Sequence, residues 1–151
     1  MNYERYLFSS SSKSTLSNFH QGSVALKIWG KTFISSEQAY QYFKALFHCK
    51  FDIAGKICRQ RNSLACYRLG KQIRTSNLWR EEKVHVMFHI LKHKVYQCVE
   101  FREELLGNRN KVFCEDTRNS FWGLGKGGKG LNTLGVLMHM LVVFWEMEML
   151  Y

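Results

Sequence analysis

The chain contains no proline. Every helix and strand interior is therefore free of fixed-φ residues, and Gly, Asn, Asp and Ser are left to mark the turns. Acidic residues are also scarce, 12 Asp and Glu against 22 Lys and Arg, for a formal net charge of +10. That excess suits an anionic partner, a phosphorylated metabolite or a nucleic acid, and does not choose between them. The basic residues form no dense run, so a dedicated nucleic-acid tail is not expected. Cys49, Cys58, Cys66, Cys98 and Cys114 make an odd set without a CxxC pair, which argues against a disulfide framework and against a clustered zinc site. Reduced thiols and a cytoplasmic location are the expectation, with no cofactor and no metal. Long apolar runs are missing too. Residues 134–145 are the best candidate, contain His139 and read as a core helix, since a bilayer span needs roughly 20 apolar residues. The start, MNYERYLFSSSSKS, lacks the charged-then-apolar pattern of a signal peptide. A soluble protein with no membrane partner is expected.

What is present is a globular composition. Hydrophobic residues make up 46% of 151, aromatics 15%, and the one biased tract is the serine-rich stretch over residues 9–14. That length suffices for one domain with a substantial core, expected over residues 1–145 with a short tail at 146–151. Strands are predicted at residues 3–8, 25–29 and 111–114, with a turn at Gly30-Lys31. Helices are predicted from Ser35 or Ser36, over 53–59, over 64–70 with Gly70 as C-cap, from about Trp79, over 101–106 and from about Leu131. The class is α+β: compact, mostly helical, with a few short strands.

One helix stands out. In SSEQAYQYFKA, Ser35 or Ser36 can cap the first turn and Glu37 suits its positive end. At about 100° per residue, Glu37, Gln41, Lys44 and His48 share an arc of roughly 60°, opposite Ala39, Tyr40, Phe43, Leu46 and Phe47. The apolar arc is expected to bury and the polar one to project. A carboxylate and an amine on a rigid element can act as acid, base or nucleophile; a solvated ion pair is the plainer reading.

A second segment, FWGLGKGGKGLNTLG, holds six of the chain's 11 glycines. Its GxGxxG and its partial phosphate-loop match lack the βαβ unit and the Ser or Thr those motifs require. A glycine-rich loop entering a helix can still offer amides to a phosphate, with Lys126 and Lys129 nearby in sequence. Trp122 reads either as a stacking face or as core.

In order, LSNF, WGKTFISSEQAYQYFKA, the LG at 69–70, LWREEKVHVM, EDTRNSFWGLG and GLNTLGVLM resemble the NADAR (YbiA-like) family, over roughly residues 3–143. The resemblance implies an α+β N-glycosidase for ADP-ribose-like or ribose-phosphate ligands. Family activities include cleaving ribosylamino-pyrimidine intermediates of riboflavin synthesis and removing ADP-ribose from guanine in nucleic acid. Both substrates join ribose C1 to an exocyclic amine. The partner implied is thus a phosphorylated ribosylamine metabolite or ADP-ribosylated guanine. By the same resemblance Glu37 is the catalytic acid/base, and Lys44 is a Schiff-base nucleophile or an anchor for phosphate and ribose. Gln41, Asn18, Gly123, Gly125 and Asn132 line the ligand, with the loop's backbone amides in the main role. Trp79 and Trp122 are assigned stacking and Lys83 a phosphate contact, against core packing and a solvated surface. Two departures matter. Gln38 replaces the histidine usual after the glutamate, and Asn119 stands where many members place an aspartate. They keep a non-catalytic ADP-ribose or NAD-binding module open as an alternative, and the +10 charge keeps open a basic nucleic-acid-binding domain.

Overall fold

The computed structural model describes residues 2–9 and 13–151; residues 10–12 of the serine-rich tract lie outside them. In chain order the elements are β1 (Arg5–Phe8), β2 (Leu26–Ile28), β3 (Lys31–Phe33), α1 (Ser36–Phe47), α2 (Phe51–Cys58), α3 (Ser63–Gly70), α4 (Asn77–Gln97), α5 (Val99–Gly107), β4 (Val112–Glu115) and α6 (Thr133–Met149). This is the expected mostly helical α+β class. Among the described residues no helix is long and apolar enough to cross a membrane. The elements group into two packed units, Asn18–Cys98 and the remainder, Met1–Ser17 with Val99–Tyr151.

In the first unit β2 and β3 form an antiparallel hairpin that pairs Leu26 with Phe33 and Ile28 with Lys31. Leu26, Ile28 and Phe33 are buried while Lys27, Lys31 and Thr32 face out, the period of two that a half-covered strand requires. The turn falls one residue earlier than predicted. Trp29 and Gly30 both have positive φ, 46° and 74°, the two-residue geometry that matches strand twist. A left-handed tryptophan costs about 1–2 kcal/mol. Its ring is placed against His89, centroids 4.8 Å apart, and edge-on to Phe43 at 5.4 Å.

α1 packs against α2, α3 and α4. Of the two candidate caps it uses Ser35, whose Oγ accepts from the Gln38 N–H at 3.2 Å and is itself 2.7 Å from the Ser63 hydroxyl. Asn62 and Ser76 cap α3 and α4 in the same way, accepting from the N–H groups of Ala65 and Trp79. Ala45, Ala54, Ile57, Cys66 and Ile73 form one core cluster. Gly70 ends α3 but is not its cap, which is Lys71. Glycine is required there for space, because a Cβ would lie 1.8 Å from Gln41 Oε1.

In the other unit β1 and β4 pair in parallel, from Arg5 opposite Val112 to Phe8 opposite Glu115, and α6 packs on β4. Glu104 of α5 accepts hydrogen bonds from the Tyr6 and Ser14 hydroxyls, each at 2.5 Å, and from the Thr15 N–H at 2.8 Å and hydroxyl. Burial would raise its pKa, but these bonds outweigh it and hold the carboxyl below the ordinary range. The tail expected from Glu146 is helical as far as Met149.

Candidate active site

The two arcs of α1 are covered differently from the amphipathic expectation. Glu37 and Gln41 are only 6% and 4% exposed, whereas Phe47, on the apolar arc, is 38% exposed. Helical spacing tells which residues share a face but not which face is covered. Here α1 has helices on several sides, and Phe43 and Phe47 line an open groove of about 550 Å³ with Trp29, Trp79, His85 and His89. Of the polar stripe, Glu37 and Gln41 are enclosed while Lys44 and His48 are half-buried.

Burying a carboxyl this completely disfavours its charged form. Glu37 Oε1 accepts from Gln41 Nε2 at 2.7 Å. Burial raises the Glu37 pKa to about 7, with the Gln41 hydrogen bond and the Lys44 charge pulling the other way. Half-buried Lys44 donates from Nζ to the Gly70 carbonyl at 2.9 Å. Its pKa is lowered by burial and, less, by Lys83, against an upward pull from Glu37. Both groups are thus pushed toward their neutral forms. A carboxyl near neutrality can give or take a proton at physiological pH.

In this unit the buried polar side-chain atoms that no hydrogen bond reaches among the described residues are Gln41 Oε1, Asn18 Oδ1 and Ser36 Oγ. Asn18 is joined to the same turn, its carbonyl accepting from the Glu37 N–H at 2.9 Å. Each such atom costs about 1–3 kcal/mol if it stays unpaired, which makes these atoms candidate ligand contacts. Tyr40 adds to them. Its hydroxyl pKa is raised by burial and then by the Glu37 charge, while a hydrogen bond with Trp79 opposes them. Helical spacing had set Tyr40 among the packing residues and had not singled out the lack of a side chain at Gly70. Both depend on which neighbours arrive from α3 and α4, and no local pattern contains that.

The remaining stripe residue has a different task. His48 Nε2 accepts from the Ser76 N–H at 3.1 Å, which leaves Nδ1 to donate to the Lys44 carbonyl at 2.7 Å. It joins the end of α1 to the start of α4. Trp79 is 2% exposed, packed with the rings of Tyr40, Phe47 and His48 at 5.2–5.7 Å, and it also lines the groove with Phe43 and Phe47. Lys83 is half-buried, its pKa lowered by burial and by Arg80.

Trp122, Gly123, Gly125 and Asn132 belong to the other unit. Trp122 is half-buried and meets Phe121 edge-on at 4.9 Å. Gly123 is buried where a Cβ would come within 2.5 Å of the Glu115 carbonyl and the Thr117 hydroxyl, and Gly125 has φ 69°. Asn132, at φ 52°, accepts from the Glu115 N–H at 3.0 Å and donates to the Phe113 carbonyl at 2.8 Å. The phosphate cradle anticipated at the start of α6 is taken up internally. The N–H groups of Asn132, Thr133 and Leu134 donate to the carbonyls of Gly123, Phe121 and Trp122, and Lys126 and Lys129 are exposed.

The sequence pattern of the NADAR domain family fits residues 3–142. The chain belongs to the NADAR family. It is 33% identical over 117 residues to the N-glycosidase YbiA of Escherichia coli K12, a match covering 75% of this chain and 71% of YbiA. A riboflavin biosynthesis protein of Vibrio vulnificus is 28% identical over 132 residues, 83% of this chain and 34% of that protein. The NMR structure of E. coli YbiA matches with a TM-score of 0.84 at 30% identity, over 99% of this chain and 89% of that one.

Against that NADAR framework both departures have structural explanations. Gln38 Oε1 accepts from the Ile34 N–H at 2.7 Å, while its Nε2 donates to the carbonyls of Ile57 at 2.9 Å and Gln60 at 3.2 Å. It ties the start of α1 to the end of α2. Asn119 Oδ1 accepts from the N–H groups of Phe121 and Trp122, both at 2.9 Å. An aspartate would accept the same pair, so asparagine preserves that turn.

Proposed function

We propose that this NADAR protein is an N-glycosidase that hydrolyses the bond between ribose C1 and an exocyclic amine. The carrying observation is the buried Glu37 carboxyl with its pKa raised to about 7, bonded to Gln41, whose Oε1 is unpartnered, in a turn whose N–H bonds to Asn18. The names of the relatives, an N-glycosidase and a riboflavin biosynthesis protein, support the same chemistry. Glu37, protonated, gives its proton to the departing amine as the C1–N bond breaks. The carboxylate left behind then takes a proton from the water that hydrolyses the Lys44 adduct at C1, which restores the acid. Gln41 and Asn18 supply acceptors for ribose hydroxyls. The lowered pKa of Lys44 favours its role as nucleophile: the ribose opens to an imine, Nζ replaces the amine on C1, and water hydrolyses the Schiff base. Substrates are a ribosylamino-pyrimidine phosphate or ADP-ribosylated guanine, and a chain of net charge +10 attracts either anion. Both are incubated with wild type, Glu37→Gln and Lys44→Ala. The reading predicts release of the free amine by wild type and loss of at least 100-fold in each variant, in line with removing an acid/base group. Borohydride is expected to trap an adduct on wild type and none on Lys44→Ala. Binding of ADP-ribose without turnover would replace this reading with a non-catalytic module.

A further inference from the structure

We infer that the outer face of α6 is a self-association surface, and that a second copy of this chain covers it. On α6 and its C-cap, Val136, Met140, Val143, Met147 and Leu150 recur at intervals of four and three. At about 100° per residue they fall within an arc of roughly 80°. All five are exposed, at 51%, 47%, 55%, 57% and 80%. The opposite face, with Leu134, Leu137, Met138, Leu141 and Val142, is buried within the unit. α6 is therefore apolar on both sides, a property of helices covered all round. The alternating spacing is that of a seam between two packed helices.

Charge selects the occupant. Residues 131–151 contain no Lys or Arg and two Glu, in a chain of net charge +10. The helix itself offers a phosphate-rich strand or an anionic membrane no basic side chain, and the cations beside it, Arg102 over the Trp145 ring and Arg109 against Glu146, are engaged with α6 side chains. Two copies, each strongly positive, can meet on this face with little repulsion. Glu146, at the flank, already lies 3.8 Å from Arg109 of its own chain. The stripe carries no charge of its own and so complements itself across a two-fold axis. Five side chains about half exposed leave on the order of 500 Å² per copy, close to the roughly 600 Å² a side of the smallest specific interfaces. An interface of this size belongs with the small, weak ones.

Sedimentation of the whole chain from low micromolar to near-millimolar concentration tests this. The expected result is a reversible rise in mass toward twice the 17.8 kDa of one chain, lost in Val143→Glu and in Met147→Lys. Circular dichroism and thermal unfolding check that both variants are folded; these positions are exposed, so the fold should survive. A wild type that stays monomeric throughout overturns the proposal, as does a dimer that persists in both variants. Flotation of monomeric wild type with phosphatidylcholine vesicles, abolished by Val143→Glu, would overturn it in favour of a lipid surface.

Discussion

Replacing Glu37 with glutamine keeps the side chain's shape and an oxygen for Gln41 Nε2, and removes the buried charge. In the folded chain the carboxyl titrates near 7 instead of its ordinary 4.5. The folded state therefore holds the proton to higher pH than the unfolded state, and stability falls as pH rises between those values. Above pH 7 the whole cost of ionising a buried group is present. The gap corresponds to about 3 kcal/mol at ~1.4 kcal/mol per factor of ten. Glutamine carries no such cost. The stability difference between variant and wild type should thus be smallest below pH ~4.5, grow through the interval, and level off above pH ~7 with the variant more stable by about 3 kcal/mol. For a chain of this length that raises the melting temperature by about 6–12 °C. Urea unfolding at a series of pH values measures it, alongside the loss of activity. A difference that does not vary with pH, or a variant less stable than wild type above pH ~7, would refute the argument that burial controls this carboxyl.

The same titration governs catalysis. If Glu37 acts first as the acid, kcat/KM falls as pH rises through about 7, and a rate that climbs through that range would contradict the assignment. Gly70→Ala inserts a methyl group 1.8 Å from Gln41 Oε1; it should cost about 1–3 kcal/mol in urea unfolding and lower kcat/KM by displacing Gln41. Gln38→His, which restores the residue usual in relatives, should destabilise this chain by about 1–3 kcal/mol. An imidazole cannot both accept from Ile34 and donate to Ile57 and Gln60, and an unchanged unfolding midpoint would count against that clamp.

The local order of the fold was legible in the sequence. A serine cap at 35 or 36, the long helix from about Trp79 and the strand before the glycine-rich loop all follow from signals within a few residues. Motif order made the NADAR family legible as well. Enclosure was not. Nothing in SSEQAYQYFKA says that Glu37 and Gln41 face neighbouring helices while Phe47 looks outward, because that depends on residues brought in from α2, α3 and α4. The glycine-rich loop misled for a related reason. Its amides look free in sequence, and the chain returns on itself to use them, Asn132, Thr133 and Leu134 donating to carbonyls of residues 121–123. Gly70 reads as a helix cap until Gln41 is seen in the space a side chain would occupy.

A buried carboxyl on α1, Glu37, is thus held near neutrality for proton transfer. Isotope-edited NMR of the Glu37 side-chain carboxyl against pH, with Glu37→Gln to assign the signal, measures this directly. A midpoint near 7 is expected; a midpoint near 4.5, the value of a solvated glutamate, would rule out the buried acid.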